Sequence, residues 1–213
     1  MRLKKSVVSL LLIIVSIIYI LLIKLVDVAS IGPRSSEVGF SSINGWFNNI
    51  FSYNSTIYKI TEVLGYIALL IIVVFALLGL YQLIKRKSIK KVDKEIIVLG
   101  IFYVIVLFLY VLFDKVAINY RPVLLEGVLE PSFPSSHTLL AMFVCGSAVI
   151  MNNKLFEKNE YKKLINVLLI VLMVLIIVGR LLSGVHWITD VVGGILIATT
   201  LLYIFNYIIN YRK

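Results

Sequence analysis

The sequence has few of the residues that build disulfides, metal sites or a charged surface. Its 213 residues include one cysteine, Cys145, and two histidines, His137 and His186. A single cysteine excludes an intrachain disulfide and a metal site made of several thiolates, so we interpret Cys145 as a helix-packing residue. Charged residues make up 15% of the chain, whereas a soluble domain typically has about 25%. These shortages exclude an ordinary soluble domain.

Long apolar runs take the place of the missing charge. Hydrophobic residues make up 61% of the chain and the mean hydropathy is +1.02. A helix of about twenty residues crosses a hydrocarbon core of roughly 30 Å. The runs predict an all-α, polytopic integral membrane protein, a single membrane domain over 1–213. The six predicted transmembrane helices are 6–26, 62–84, 95–113, 137–152, 163–181 and 187–209. The first run resembles a signal peptide but is longer than one, which favours an uncleaved span.

The positions of the basic residues predict the orientation. Lysine and arginine outnumber acidic residues by 21 to 11, an excess that would suggest nucleic-acid binding in a soluble protein. Here they gather in short loops, and such loops are cytoplasmic. We therefore expect both termini in the cytoplasm, membrane lipids around the chain and no nucleic acid partner. The four basic clusters are Arg2, Lys4, Lys5; Lys85, Arg86, Lys87, Lys90, Lys91, Lys94; Lys154, Lys158, Lys162, Lys163; and Arg212, Lys213.

Residues 27–61 are predicted to form an extracytoplasmic interfacial segment. Ile43, Phe47 and Ile50 recur at helical spacing, with Trp46 beside them. A short helix lying in the membrane interface and an ordered loop with an aromatic anchor both remain open. In the other outward loops, Glu126 and Glu130 are expected to be solvated charges, and Trp187 an aromatic anchor at the interface.

Polar residues that are costly in a membrane collect at three places. Arg121-Pro122 follows the third span, Pro134-Ser135-Ser136-His137 begins the fourth, and Arg180 to Asp190 joins the fifth to the sixth. The charge of the basic loops places all three polar segments on the outward face of the membrane. This agreement is independent evidence, because the orientation was derived without using the residues of these segments. Ionisable groups in such positions usually mark a functional site. We therefore predict one extracytoplasmic site.

These residues suit a phosphate. The N–H groups of a helix start, together with the helix dipole, attract anions, and Ser135 is a good N-cap for the fourth span. Arg121 and Arg180 offer planar guanidinium groups that match phosphate oxygens. A metal site is the weaker alternative, because the arginines would repel an ion bound by the two histidines and Asp190. We expect no metal and no cofactor.

The two histidines suit complementary roles in catalysis. His186 and Asp190 are four residues apart, which places both side chains on one helix face. Asp190 would accept a proton from Nδ1–H of His186 and leave Nε2 free as an acceptor or nucleophile. His137 would then be the general acid that protonates the leaving oxygen.

The three motifs together resemble the type 2 phosphatidic acid phosphatase (PAP2) superfamily of membrane lipid phosphatases. That family has a lysine followed after six residues by Arg-Pro, then Pro-Ser-Gly-His, then Ser-Arg followed by histidine and aspartate. Here the matching residues are Arg121-Pro122, Pro134 to His137, and Arg180, His186 and Asp190. The resemblance implies a catalytic helical core over 62–209.

The resemblance also implies a phosphohistidine intermediate. His186 would be the nucleophile, Asp190 its orienting partner and His137 the general acid. Phosphate ligands would be Arg121, Arg180 and the Ser135–His137 backbone, including Ser136, which replaces the family's glycine. Gly179 stands where the family has serine, which removes one hydroxyl donor.

The first motif departs most from the family. Lys115 stands six residues before Arg121, and Asp114 occupies the family's lysine position. On a helix, six residues leave two side chains about 120° apart. A swung lysine side chain or an unwound stretch before Arg121 would correct this, so Lys115 is retained as a predicted phosphate ligand.

The expected function is a phosphatase acting on a lipid phosphate or diphosphate in a bacterial cytoplasmic membrane. Undecaprenyl diphosphate, phosphatidylglycerol phosphate and phosphatidic acid are candidate substrates. A lipid phosphotransferase, which passes the phosphoryl group to a lipid or sugar, shares every residue named and stays open. A transporter is disfavoured, because charges in the middle of the membrane or broken helices would be expected.

Overall fold

The computed structural model describes residues 2–155 and 160–211. Three of the basic residues used for orientation, Lys158, Arg212 and Lys213, lie outside this part, as does the side chain of Arg2. The described residues contain seven α-helices: α1 Arg2–Leu25, α2 Ser41–Ile50, α3 Ser55–Arg86, α4 Lys94–Lys115, α5 Ser136–Leu155, α6 Glu160–Leu182 and α7 Ile188–Ile209. Short 3-10 turns lie at Pro33–Ser35 and Ile89–Lys91.

Six of these helices are long and apolar enough to cross a membrane, which confirms the predicted all-α fold and its six spans. The largest difference lies in α3, which begins at Ser55 instead of residue 62. The side chain of Asn54 accepts hydrogen bonds from the backbone N–H groups of Thr56 and Ile57, each at 3.0 Å. This cap satisfies the helix start and extends α3 beyond its apolar run.

The helices α5 and α7 form the interior of the bundle. They are much more buried than the other four spans, and α5 packs against α3, α4, α6 and α7. Close approach needs small residues: a Cβ on Gly146 would lie 2.7 Å from Cδ1 of Leu202. The rings of Phe102, Phe143 and Phe205 join α4, α5 and α7, with centroids 5.6–6.3 Å apart. The apolar faces of α1, α3, α4 and α6 remain exposed, as expected of surfaces that meet lipid.

The segment between α1 and α3 is ordered and contains the short helix α2. Asn44 is fully buried and donates from Nδ2 to Oγ1 of Thr189 at 2.9 Å, next to the start of α7. Asp27 accepts hydrogen bonds from the hydroxyl of Ser41 at 2.9 Å and the N–H of Ser42 at 2.8 Å. Of the two open alternatives, the segment therefore contains a helix, and its place in the membrane interface stays a prediction.

The long helices separate the two sets of connections. Both α3 and α4 run from one end, at Ser55 and Lys115, to the other, at Arg86 and Lys94. The connection with Lys90 is thus remote from the loop with Glu126, and both residues are exposed.

We predict that Glu126 faces outward and Lys90 faces the cytoplasm. In a Cys145→Ala background, Glu126→Cys should react with a membrane-impermeant thiol reagent on intact cells. Lys90→Cys should react only after permeabilisation, because positive loops stay inside. The reverse labelling pattern would overturn the orientation and the location of the site together.

Candidate active site

The turn between α6 and α7 carries His186 in a fixed backbone. Gly184 has a φ of +63°, and a Cβ there would lie 2.6 Å from the carbonyl oxygen of Phe51. The N–H of Asn54 donates to the carbonyl of Ser183 at 2.9 Å. Only glycine fits this close approach without strain, so the segment before α3 holds the turn in place.

Ser132 lies between His186 and Asp190. Its Oγ is 3.0 Å from Nδ1 of His186, and its hydroxyl donates to Oδ2 of Asp190 in a short hydrogen bond. The direct distance from Nδ1 to Oδ2 is 3.9 Å, too long for a hydrogen bond. The expected direct contact between His186 and Asp190 is therefore wrong, because the serine hydroxyl occupies the space between them.

The serine bridge still defines the tautomer of His186. Since the Ser132 proton goes to Asp190, the serine oxygen must accept from Nδ1–H, which leaves Nε2 with its lone pair. That Nε2 is buried and has no hydrogen-bond partner among the described residues. Burial, followed by the charges of Arg121 and Arg180, holds the pKa of His186 well below its usual range. His186 is thus a neutral base with its lone pair free.

Asp190 is fully buried and fully hydrogen-bonded. Besides Ser132, it accepts from Nδ2 of Asn119 at 3.3 Å and from the N–H of Trp187 at 3.0 Å. Trp187 was expected to be an interfacial anchor, which is wrong: its side chain is buried and donates from Nε1 to the carbonyl of Tyr120 at 2.6 Å. Trp187 therefore fastens the loop after α4 to the start of α7.

The guanidinium groups of Arg180 and Arg121 each have N–H groups without a hydrogen-bond partner among the described residues. Arg180 is 1% exposed, donates from Nη2 to Glu62 in a short hydrogen bond and stacks over the ring of Tyr58 at 5.0 Å. Nε of Arg121 lies 3.0 Å from Oε2 of Glu130, so Glu130 pairs with the site, whereas it was expected to be only a solvated charge. In the described structure, Nε and Nη1 of Arg180 and Nη1 of Arg121 are buried without a hydrogen-bond partner, and Nε of Arg121 has only the ion pair with Glu130. Buried donors of this kind are normally satisfied, and here an anion would satisfy them.

His137 faces these groups from the start of α5. Its Nε2 lies 3.4 Å from Oε1 of Glu62. A cavity of about 340 Å³ is bordered by His137, His186 and Arg121 together with Ser136, Glu62 and Tyr58. The structure therefore brings His137, His186 and Arg121, which were predicted from separate motifs, around one cavity. Arg180 contacts two residues of the cavity wall, Glu62 and Tyr58.

Ser135 does not have its predicted contacts. Its backbone N–H donates to the carbonyl of Asp190 at 3.0 Å, and its hydroxyl accepts from Oγ1 of Thr138 at 3.0 Å. Both groups are thereby used inside the fold. Ser135 joins α5 to α7, while Ser136, which borders the cavity, begins the helix.

Lys115 is not brought to the cavity. Its side chain is 77% exposed and its Nζ lies 3.5 Å from Oδ2 of Asp114, whereas Asp114 borders the cavity. The helix α4 continues through Lys115, so the helical register points the lysine away. An exposed ion pair stabilises a protein by at most about 1 kcal/mol. The position of the Lys115 side chain is therefore determined by the helical register of α4 and not by the ion pair with Asp114.

Sequence reasoning missed Glu62, Ser132, Tyr58 and Asn119. Glu62 carried a signal, since an acidic residue at the edge of an apolar run is a candidate functional group. Ser132 and Asn119 carried none, because buried serine and asparagine in a loop have no distinctive spacing.

A second, apolar cavity of about 580 Å³ opens beside the first. It extends between α3, α4 and α5 and is bordered mainly by apolar side chains, among them Leu69, Ile72, Val104, Leu107 and Leu140. Glu62, Tyr110, Ser136, His137 and Leu139 border both cavities. A polar cup and an apolar groove thus meet at His137.

Comparison with known proteins agrees with these features. A family model described as the PAP2 superfamily matches residues 114–213. The fold is similar to the crystal structure of a transmembrane PAP2 type phosphatidylglycerolphosphate phosphatase from Bacillus subtilis, with a TM-score of 0.58. Sequence identity is 18%, and the match covers 92% of this chain and 93% of that one, which shows a shared fold. No curated protein matches the sequence.

We predict that the cup binds inorganic phosphate through Arg121 and without Lys115. Arg121→Ala should weaken phosphate binding about tenfold or more, as expected for a charge-assisted hydrogen bond in a buried site. Lys115→Ala removes an exposed cation and should leave the Kd nearly unchanged. Calorimetric titration of the detergent-solubilised protein measures both. Equal weakening by the two variants would place the lysine in the cup after all.

Proposed function

We propose that the chain is a PAP2-type membrane lipid phosphatase that acts through a phosphohistidine, which the match of residues 114–213 to the PAP2 superfamily model supports. The observation that carries the proposal is that Nε2 of His186 and Nη1 of Arg121, both buried without a hydrogen-bond partner among the described residues, belong to residues that border one cavity. Arg180, with two more unpartnered nitrogens, contacts Glu62 at the wall of this cavity, and an apolar groove of about 580 Å³ adjoins it.

In the first step, Nε2 of His186 attacks the phosphorus while the bond to the leaving oxygen breaks. The imidazole becomes positively charged, and the chain from Nδ1–H through Ser132 to Asp190 stabilises that charge. Arg121 and Arg180 hold the phosphoryl oxygens, whose charge they neutralise in the transition state. His137 gives its proton to the leaving oxygen, and the lipid alcohol departs.

In the second step, water attacks the phosphohistidine. His137, which gave up its proton in the first step, accepts one from the water, and the bond between phosphorus and Nε2 breaks. Inorganic phosphate leaves and both histidines return to their starting states. Attack by a lipid or sugar hydroxyl in place of water would give the phosphotransferase reaction, which product analysis separates.

The two cavities support a lipid as the substrate. The apolar groove meets the cup at His137, so the leaving oxygen would stand at the mouth of the groove with its chain between α3 and α4. Apolar lining residues with a few convergent polar groups are typical of sites for such ligands.

The location follows from the loop charges. We propose a bacterial cytoplasmic membrane, with the site and residues 27–61 on the extracytoplasmic side and both termini inside. The catalytic core proposed for 62–209 extends back to Ser55, because Tyr58 stacks on Arg180.

We predict phosphate release from lipid phosphates in the presence of EDTA. The arginines supply the positive charge that a metal ion would otherwise supply, and the described residues contain no group of three or more His, Cys, Asp or Glu that could hold one. The purified protein in detergent is assayed with phosphatidic acid, phosphatidylglycerol phosphate and undecaprenyl diphosphate.

The histidine variants are the controls for that assay. His186→Ala should abolish release, and His137→Ala should lower it by about 10²–10⁴-fold, the usual contribution of a general acid. Complete loss of activity in EDTA that a divalent ion restores would contradict the metal-free mechanism.

A further inference from the structure

Glu62 stands where the polar cup meets the apolar groove. Its carboxylate accepts a hydrogen bond from Nη2 of Arg180, and Oε1 lies 3.4 Å from Nε2 of His137. The side chain is 31% exposed, and it is the acidic residue that borders both cavities. The proposed reaction gives this carboxylate no step.

The position of Glu62 relative to the leaving group follows from the proposed function, on which this inference rests. To protonate the leaving oxygen, Nε2 of His137 must come within hydrogen-bond distance of it. Glu62 lies next to that nitrogen and at the mouth of the groove. The atom bonded to the far side of the leaving oxygen therefore comes to lie beside the Glu62 carboxylate.

We propose that Glu62 makes the site selective for lipid phosphomonoesters over lipid diphosphates. In a monoester, the atom beyond the leaving oxygen is an uncharged carbon. In a diphosphate it is a second phosphorus, whose oxygens carry negative charge. The Glu62 carboxylate repels that second phosphate and tolerates the carbon.

The surrounding charges do not offset this repulsion. Arg180 already donates from Nη2 to Glu62, and in the proposed reaction its buried Nε and Nη1 bind the transferred phosphoryl group. Arg121 is paired with Glu130 through Nε. The described residues that border the apolar groove include no lysine or arginine. A second phosphate at the junction would therefore meet the Glu62 carboxylate, and the proton donor His137 beside it already pairs with that carboxylate.

Farnesyl phosphate and farnesyl diphosphate test this, because they share one chain and differ only in the second phosphate. Initial rates of phosphate release give kcat/KM for each with the full-length protein in detergent and EDTA. The wild type should prefer the monophosphate, although the diphosphate has the better leaving group. Glu62→Gln should raise the diphosphate-to-monophosphate ratio of kcat/KM about tenfold or more, since removing a like charge relieves the repulsion.

Two further variants test whether the effect of Glu62→Gln comes from the lost charge, from the changed side-chain shape or from a general disturbance of the site. Glu62→Asp keeps the carboxylate and should keep the wild-type preference. Glu130→Gln removes the other carboxylate that pairs with an arginine of the cup, and it should leave the ratio unchanged whatever it does to each rate.

Three outcomes are distinguishable. A wild type that prefers farnesyl diphosphate, or a Glu62→Gln ratio equal to the wild-type ratio, would overturn the inference while leaving the phosphatase function intact. Release of phosphate from no lipid phosphate at all would instead refute the proposed function. If Glu62→Gln does not elute as a folded protein from gel filtration, the inference is tested by the wild-type preference between farnesyl phosphate and farnesyl diphosphate.

Discussion

The hydrogen bonds of Asp190 hold the active site together. The carboxylate accepts hydrogen bonds from the side chains of Ser132 and Asn119 and from the backbone N–H of Trp187. The backbone carbonyl of Asp190 accepts a hydrogen bond from the N–H of Ser135. Asn119, Ser132 and Ser135 belong to the connection between α4 and α5, and Trp187 lies directly before α7. A fully buried carboxylate needs such partners, since leaving it unpaired would cost several kilocalories per mole. The requirement to satisfy one buried charge therefore brings the separate motifs into one site.

The membrane setting explains why both arginines of the site form ion pairs with glutamates. Arginines near the membrane are expensive unless countercharges accompany them, and Glu62 and Glu130 provide these for the buried Arg180 and the largely buried Arg121. Neither pairing uses all the donors of its arginine. In the proposed function, the oxygens of a phosphate would satisfy the donors that the two carboxylates leave open.

Most of the fold was predictable because the membrane restricts it. Apolar length identified six spans, and all six are present. The start of α3 was not predictable from hydropathy, because the cap at Asn54 extends the helix into polar sequence. Loop charge predicted that the three motifs lie on one side of the membrane, and the structure places His137, His186 and Arg121 around one cavity.

The details of the site depended on contacts that sequence spacing does not report. The separation of four residues predicted that His186 and Asp190 share one helix face, but α7 begins only at Ile188, after His186. The two side chains are 3.9 Å apart, and Ser132, a loop residue far away in sequence, lies between them. Lys115 was retained although Asp114 occupies the family's lysine position, but α4 remains helical through Lys115 and directs its side chain outward. The side chain of a helical residue points where the helical register directs it, whatever the residue type. This explains why Lys115 does not reach the cavity.

The central claim is that the phosphoryl group passes through Nε2 of His186. Rapid mixing with a lipid phosphate, an alkaline quench that preserves phosphohistidine and peptide mass spectrometry test it directly. We expect one phosphoryl group on the peptide that contains His186, and none in His186→Ala. A phosphoryl group on His137, or full turnover by His186→Ala, would contradict it.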